Sequence, residues 1–164
     1  MRLLLILLLC SSLTYAEPSL SVGGTAPNWV LQTGAGESVD YYQDSDDKVS
    51  VILFWATWCP YCTRLMPHLQ KVYQEYKKNG LRFYAIDIFE DGDIDPVRYF
   101  EKKGFTFTLL LSGDLVADEY GVKGTPGLFV IDKNKKIIYK RKSGTKDSVV
   151  KEDVRLHIKQ ALAK

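Results

Sequence analysis

Trp58-Cys59-Pro60-Tyr61-Cys62 restricts what this chain can fold into more than any other stretch. It follows the apolar run of residues 49–55, which reads as a buried strand, and it opens a helical pattern reaching about residue 79. A helix N-terminus carries unpaired N–H groups and partial positive charge, which favour a thiolate at the first cysteine. The second cysteine falls three residues on, on the same helical face, where it can attack a mixed disulfide formed by the first. A dithiol at a strand-to-helix junction therefore points to thiol–disulfide exchange.

Other uses of two close cysteines fit less well. Four-ligand zinc needs two further Cys or His at suitable spacing, and the two histidines, His68 and His157, stand alone in the sequence. An inert structural disulfide is the remaining bland alternative. No metal and no cofactor is expected.

The chain has 164 residues, enough for one domain with a substantial core, and a formal net charge of +2. That charge offers no electrostatic argument for nucleic acid or a membrane surface. Residues 1–16 read as a cleaved signal peptide: Arg2 supplies the positive end, residues 3–9 the apolar stretch, and Thr14-Tyr15-Ala16 a small-residue cleavage site before Glu17. The apolar stretch is well short of the roughly 20 residues a spanning helix needs. A lipidated Cys10 is the alternative, disfavoured by the bulk of Leu9 before it. With cleavage after Ala16, Cys59 and Cys62 become the only cysteines of residues 17–164, one domain in an exported compartment that favours disulfides.

Along that domain the pattern predicts an initial turn and short strand over residues 23–31, then a loop or weak hairpin over 33–48. A buried strand at 49–55 leads to a helix at 59–79, with Pro60 in its first turn, Pro67 kinking it and Gly80 ending it. A second buried strand spans 81–89, a helix runs from Asp95 through Lys103 to Gly104, a strand covers 106–111, and a short helix covers 114–120. Strands at 128–132 and 136–142 form a hairpin around residues 132–135, and residues 147–162 carry one apolar helical stripe. Strands alternating with helices, then a closing hairpin, make an α/β class with a mixed central sheet flanked by helices.

The acidic residues 90–95 fail as a calcium loop, because Pro96 stands where glycine is needed and Lys102 where glutamate is needed. Helix capping and solvation account for them. The lysines of 133–142 read as an exposed hairpin face.

Four motifs in order resemble the thioredoxin superfamily, and within it the exported TlpA/ResA-like branch. The run from Phe54 to Cys62 is similar to the family signature, and Pro67 matches the proline that kinks its helix. Gly124-Thr125-Pro126 looks like the cis-proline loop, and Gly24-Thr25-Ala26-Pro27-Asn28-Trp29-Val30-Leu31 resembles the N-terminal motif of the broader redoxin (AhpC/TSA-like) group. The helix near 95–103 sits where this branch inserts one, and the similarity spans essentially all of residues 17–164. It implies a thioredoxin-like three-layer fold with an N-terminal extension.

Carried over residue by residue, the resemblance makes Cys59 the exposed nucleophile and Cys62 the buried resolving thiol. Trp58 and Tyr61 border the substrate groove, Thr125 offers its backbone to a bound peptide, and Pro126, in cis, sets that loop against the sulfurs. Two departures stand out. Relatives commonly carry a carboxylate near the resolving cysteine, and the corresponding places here are Leu53 and Leu65. The Pro60-Tyr61 dipeptide also occurs in glutaredoxins, whose shorter chain and different flanks set them apart.

The resemblance implies a periplasmic thiol–disulfide oxidoreductase that reduces disulfides of exported proteins, an apocytochrome c awaiting haem attachment among them. A membrane electron-transfer partner would restore the dithiol. The same chemistry run backwards, as in DsbA-like oxidants or isomerases, stays open. A copper metallochaperone and a thiol peroxidase are further alternatives: Met66 and His68 lack a recognised ligand spacing for the first, and the second lacks a separate peroxidatic cysteine.

Overall fold

A single mixed sheet of seven strands organises the computed structural model, which describes residues 20–163. The expected signal peptide and Cys10 lie outside the described residues. In chain order the elements are β1 (Val30–Thr33), β2 (Ser38–Asp40), α1 (Tyr41–Asp44), β3 (Ser50–Trp55), α2 (Pro60–Tyr76), β4 (Arg82–Asp87), α3 (Pro96–Lys103), β5 (Thr108–Leu111), α4 (Asp114–Glu119), β6 (Gly127–Ile131), β7 (Ile137–Lys140) and α5 (Asp147–Leu162). The strand order is β2-β1-β5-β4-β3-β6-β7, with β3, β4 and β5 parallel and the remaining pairs antiparallel.

The apolar run Val51 to Trp55 of β3 has a direct cause: all six residues of the strand, Ser50 included, are buried, because helices cover both sheet faces. Val51, Leu53 and Trp55 point to a cluster built with α2, α3 and α5. Ile52 and Phe54 point the other way, to a cluster containing Tyr41 of α1 and Val116 and Ala117 of α4. The result is helix, sheet, helix: the three-layer α/β arrangement expected.

Local signals set the helix ends. Asp95 caps α3 by accepting the Val97 N–H at 2.8 Å, Pro96 occupies its first position, and Gly104 ends it at φ 69°. Helix α2 continues through Pro67, and the 3₁₀ turn Lys77–Asn79 beyond it stops at Gly80.

Three expectations need correction. In residues 33–48 the weak hairpin is present, as β2 paired antiparallel with β1, but the segment also holds the helical turn α1. Tyr41 is wholly buried there, stacked on Trp29 at 5.0 Å, with its hydroxyl bonded to Ser50 Oγ at 2.9 Å. Strand β4 ends at Asp87 rather than 89, because Phe89 adopts φ 57° and turns the chain away. The lysine-rich hairpin is not simply a solvated face: Lys135 Nζ donates to the Ser45 carbonyl at the end of α1, and Lys140 Nζ donates to the Leu20 carbonyl at 2.8 Å and ties the N-terminal segment to the sheet.

Candidate active site at the Cys59–Cys62 pair

Strand β3 delivers the motif and β6 delivers its neighbour. These strands are antiparallel with Phe54 opposite Gly127, so β6 starts beside the point where β3 ends. Thr125 and Pro126, just ahead of Gly127, are thereby brought to the edge of the Cys59–Cys62 turn, and their peptide bond is cis. Pro126 is buried and Thr125 half-buried.

Cys59 is the N-cap of α2. Its Sγ accepts the Cys62 N–H at 3.1 Å, and the two sulfurs are disulfide-bonded with Cα atoms 5.3 Å apart. Both cysteines are 0% exposed, which corrects the expectation of an exposed Cys59. The reason lies in the cap geometry: the side chain folds back over the first helical turn, towards Cys62 and the α2 cluster. The exposed groups are the flanking rings, Trp58 at 48% and Tyr61 at 56%.

Each ring is held. Trp58 Nε1 donates to the Phe89 carbonyl at 2.7 Å, and the Phe89 N–H is received by the Asp114 carboxylate at 2.9 Å. The Arg64 guanidinium lies 4.8 Å from the centre of the Tyr61 ring, a cation–π contact. Thr57, buried just ahead of Trp58, donates both its N–H and its hydroxyl to the Glu90 carboxylate, at 2.6 and 2.5 Å. On the other side Arg141 donates to the Pro126 carbonyl at 3.3 Å.

Glu90, Asp114 and Arg141 were not legible as site residues. Glu90 stands among acidic residues that read as capping and solvation; Asp95 does cap α3, but Glu90 grips a residue 33 positions away. No local spacing signals that.

Leu53 and Leu65 are both wholly buried, so hydrocarbon, not a carboxylate, occupies these two positions. The buried carboxylate of this region is Asp87, at the end of β4 opposite Trp55. Burial pushes its pKa up to about 6, the Ser112 N–H opposes that rise, and the charges of Glu90 and Asp114 add to it.

A cavity of about 570 Å³ opens beside Tyr61 and Arg64 of the first turns of α2, lined also by Thr125, Pro126, Arg141 and Lys146. Among the described residues no cluster of three or more His, Cys, Asp or Glu could hold a metal, and no helix is long and apolar enough to cross a membrane.

This geometry has close parallels. The model of the AhpC/TSA family matches residues 22–140. The thiol-disulfide oxidoreductase ResA of Geobacillus thermodenitrificans is 32% identical over 167 residues, covering 96% of this chain and 92% of that protein. ResA of Halalkalibacterium halodurans is 31% identical over 144 residues, covering 87% and 81%. In three dimensions, a Chlorobium tepidum protein described provisionally as a thiol:disulfide interchange protein DsbE superposes with a TM-score of 0.76 at 27% identity, covering 88% of this chain and 99% of that one. The chain belongs to the AhpC/TSA family and, within it, to the thiol–disulfide oxidoreductases of the ResA type.

Proposed function

We propose that this oxidoreductase is an exported reductase of protein disulfides, with Cys59 as nucleophile and Cys62 as resolving thiol. The observation that carries the reading is the placement of the pair: Cys59 caps α2 with the Cys62 N–H on its sulfur, beside the Thr125-Pro126 loop. In the reduced state that N–H and the helix terminus stabilise negative charge on Cys59.

The Cys59 thiolate attacks one sulfur of the partner disulfide; the S–S bond breaks and the other partner sulfur leaves as a thiolate, taking a proton from solvent. Cys62, having lost its proton, then displaces the remaining partner sulfur from Cys59. The pair ends as a disulfide, oxidised by two electrons, and the partner as two thiols. Trp58, Tyr61 and Thr125 border the partner's chain, and Pro126 places no N–H beside the sulfurs. With hydrocarbon at Leu53 and Leu65, water or a carboxylate from elsewhere in the chain takes the proton of the buried Cys62. Apart from this pair the sequence holds one cysteine, Cys10, so a second protein, a membrane electron carrier, returns the electrons. The leader-like residues 1–16 support export to a periplasm, where an unfolded apocytochrome c awaiting haem is one substrate of the right chemistry.

The same stabilised Cys59 favours the opposite direction if its thiolate is stable enough, because a stable reduced form makes a strong oxidant. The reduction potential separates the two. A value near or below about −250 mV identifies a reductant, and about −120 to −180 mV identifies a disulfide donor or isomerase. Unchanged insulin reduction by Cys59→Ser would remove both readings.

A further inference from the structure

The cleft between the first turns of α2 and the Thr125-Pro126 loop is basic. Arg64, Arg141 and Lys146 line it and Asp147 is its one carboxylate, bound to Arg64 at 3.5 Å. It is also lined by the first residues of α5, a 16-residue helix whose N-cap, Lys146, makes no side-chain cap bond. That end therefore adds unpaired N–H groups and partial positive charge. Arg141 contributes a buried Nε with no partner. A neighbouring cavity of about 390 Å³ shares Thr125, Pro126 and Arg141 and adds Lys123 and Lys140. Across the pair, on the Trp58 side, the sign reverses: the chain from Phe89, which holds the Trp58 ring, continues into Glu90, Asp91, Asp93 and Asp95.

We propose that the basic cleft receives an acidic segment of the partner polypeptide, so that preferred substrates carry Asp or Glu on one side of the reactive cysteine. This rests on the reading of the pair as a protein disulfide exchanger. A polypeptide passing Thr125 and Pro126 advances about 3.3–3.6 Å per residue when extended, so a carboxylate two or three residues from its cysteine falls within the cleft. The Arg64, Arg141 and Lys146 side attracts that carboxylate and the residue 90–95 side repels it, which orients the chain as well as attracting it.

The test uses the reduced protein and three peptide disulfides of otherwise identical sequence. Glu-Glu stands before the cysteine in one, after it in the second, and Gln-Gln on both sides in the third. One Glu placement is expected to react about 10-fold faster than the Gln peptide at low salt, the other to show no gain, and the gain to shrink as salt is added. Lys146→Gln and the Arg64→Gln/Lys146→Gln pair should bring the ratio to within about twofold of one. No gain for either placement, equal gains for both, or a gain that survives in these variants would overturn the inference while the Gln peptide is still reduced. If Cys59→Ser reduces the Gln peptide as fast as the unaltered protein, the exchange reading itself fails.

Discussion

Glu90 holds Thr57 at two points, accepting the backbone N–H at 2.6 Å and the hydroxyl at 2.5 Å, and so ties the loop ahead of Cys59 to the chain leaving β4. Hydrogen bonds to a charged group are worth about 1.5–3 kcal/mol each when partly buried. Thr57→Val and Glu90→Gln, singly and together, should therefore show a coupling of at least about 1 kcal/mol in urea unfolding. Additive effects would mean the contact does not restrain the loop in solution.

Asp87 should make stability fall as pH rises. In the folded protein burial keeps its proton until about pH 6, whereas an unfolded aspartate releases its own near 3.9. The folded state thus binds the extra proton between those values. Its penalty is absent below about pH 4, grows between 4 and 6, and reaches roughly 2–3 kcal/mol above 6. Asp87→Asn keeps an acceptor for the Ser112 N–H and removes the charge. Its stability advantage should be near zero at pH 4 and several degrees in Tm at pH 7.5. An advantage independent of pH would refute the assignment.

Gly113 has no room for a side chain. An added Cβ would run into Cγ2 of the wholly buried Ile86 and lie 3.3 Å from the Asp87 carbonyl. Gly113→Ala is expected to cost about 1–3 kcal/mol by overpacking. Because Asp114 next to it holds the Phe89 N–H, the Trp58 fluorescence should shift too. Unchanged stability and an unchanged spectrum would show that this corner yields freely.

The proposed division of labour between the cysteines predicts an asymmetry. Cys62→Ser should accumulate a mixed disulfide with a peptide substrate, visible by intact mass, because attack proceeds and resolution does not. Cys59→Ser should trap almost none. Equal trapping by both variants would reverse or abolish the assignment.

Much of the site is legible in the sequence. Cys59 and Cys62 at a strand-to-helix junction and Pro60 in the first helical turn fall where the sequence pattern puts them, and the cis Thr125-Pro126 bond falls where the resemblance to the thioredoxin superfamily implies it. Burial of Cys59 was not legible, because the cap geometry turns its side chain inward. Nor was the role of Tyr41: Gly34, Gly36 and the acidic residues 44–47 mark its segment as loop or weak hairpin, and only the packing of Trp29 and Tyr84 around the ring makes it core.

The chemistry on offer and the ends of the helices are written in short stretches of chain. A thiol pair at helix spacing, an Asp-Pro start at α3 and glycines in left-handed conformation at 80 and 104 act within one turn of chain. What surrounds the dithiol comes from packing between distant segments. Glu90 meets Thr57 and the Phe89 carbonyl meets the Trp58 ring because β4 lies parallel beside β3. Arg141 meets the Pro126 carbonyl because β7 closes on β6. Capping and backbone preferences are local, whereas contacts between distant residues exist only once burial of both sheet faces has selected which strands become neighbours.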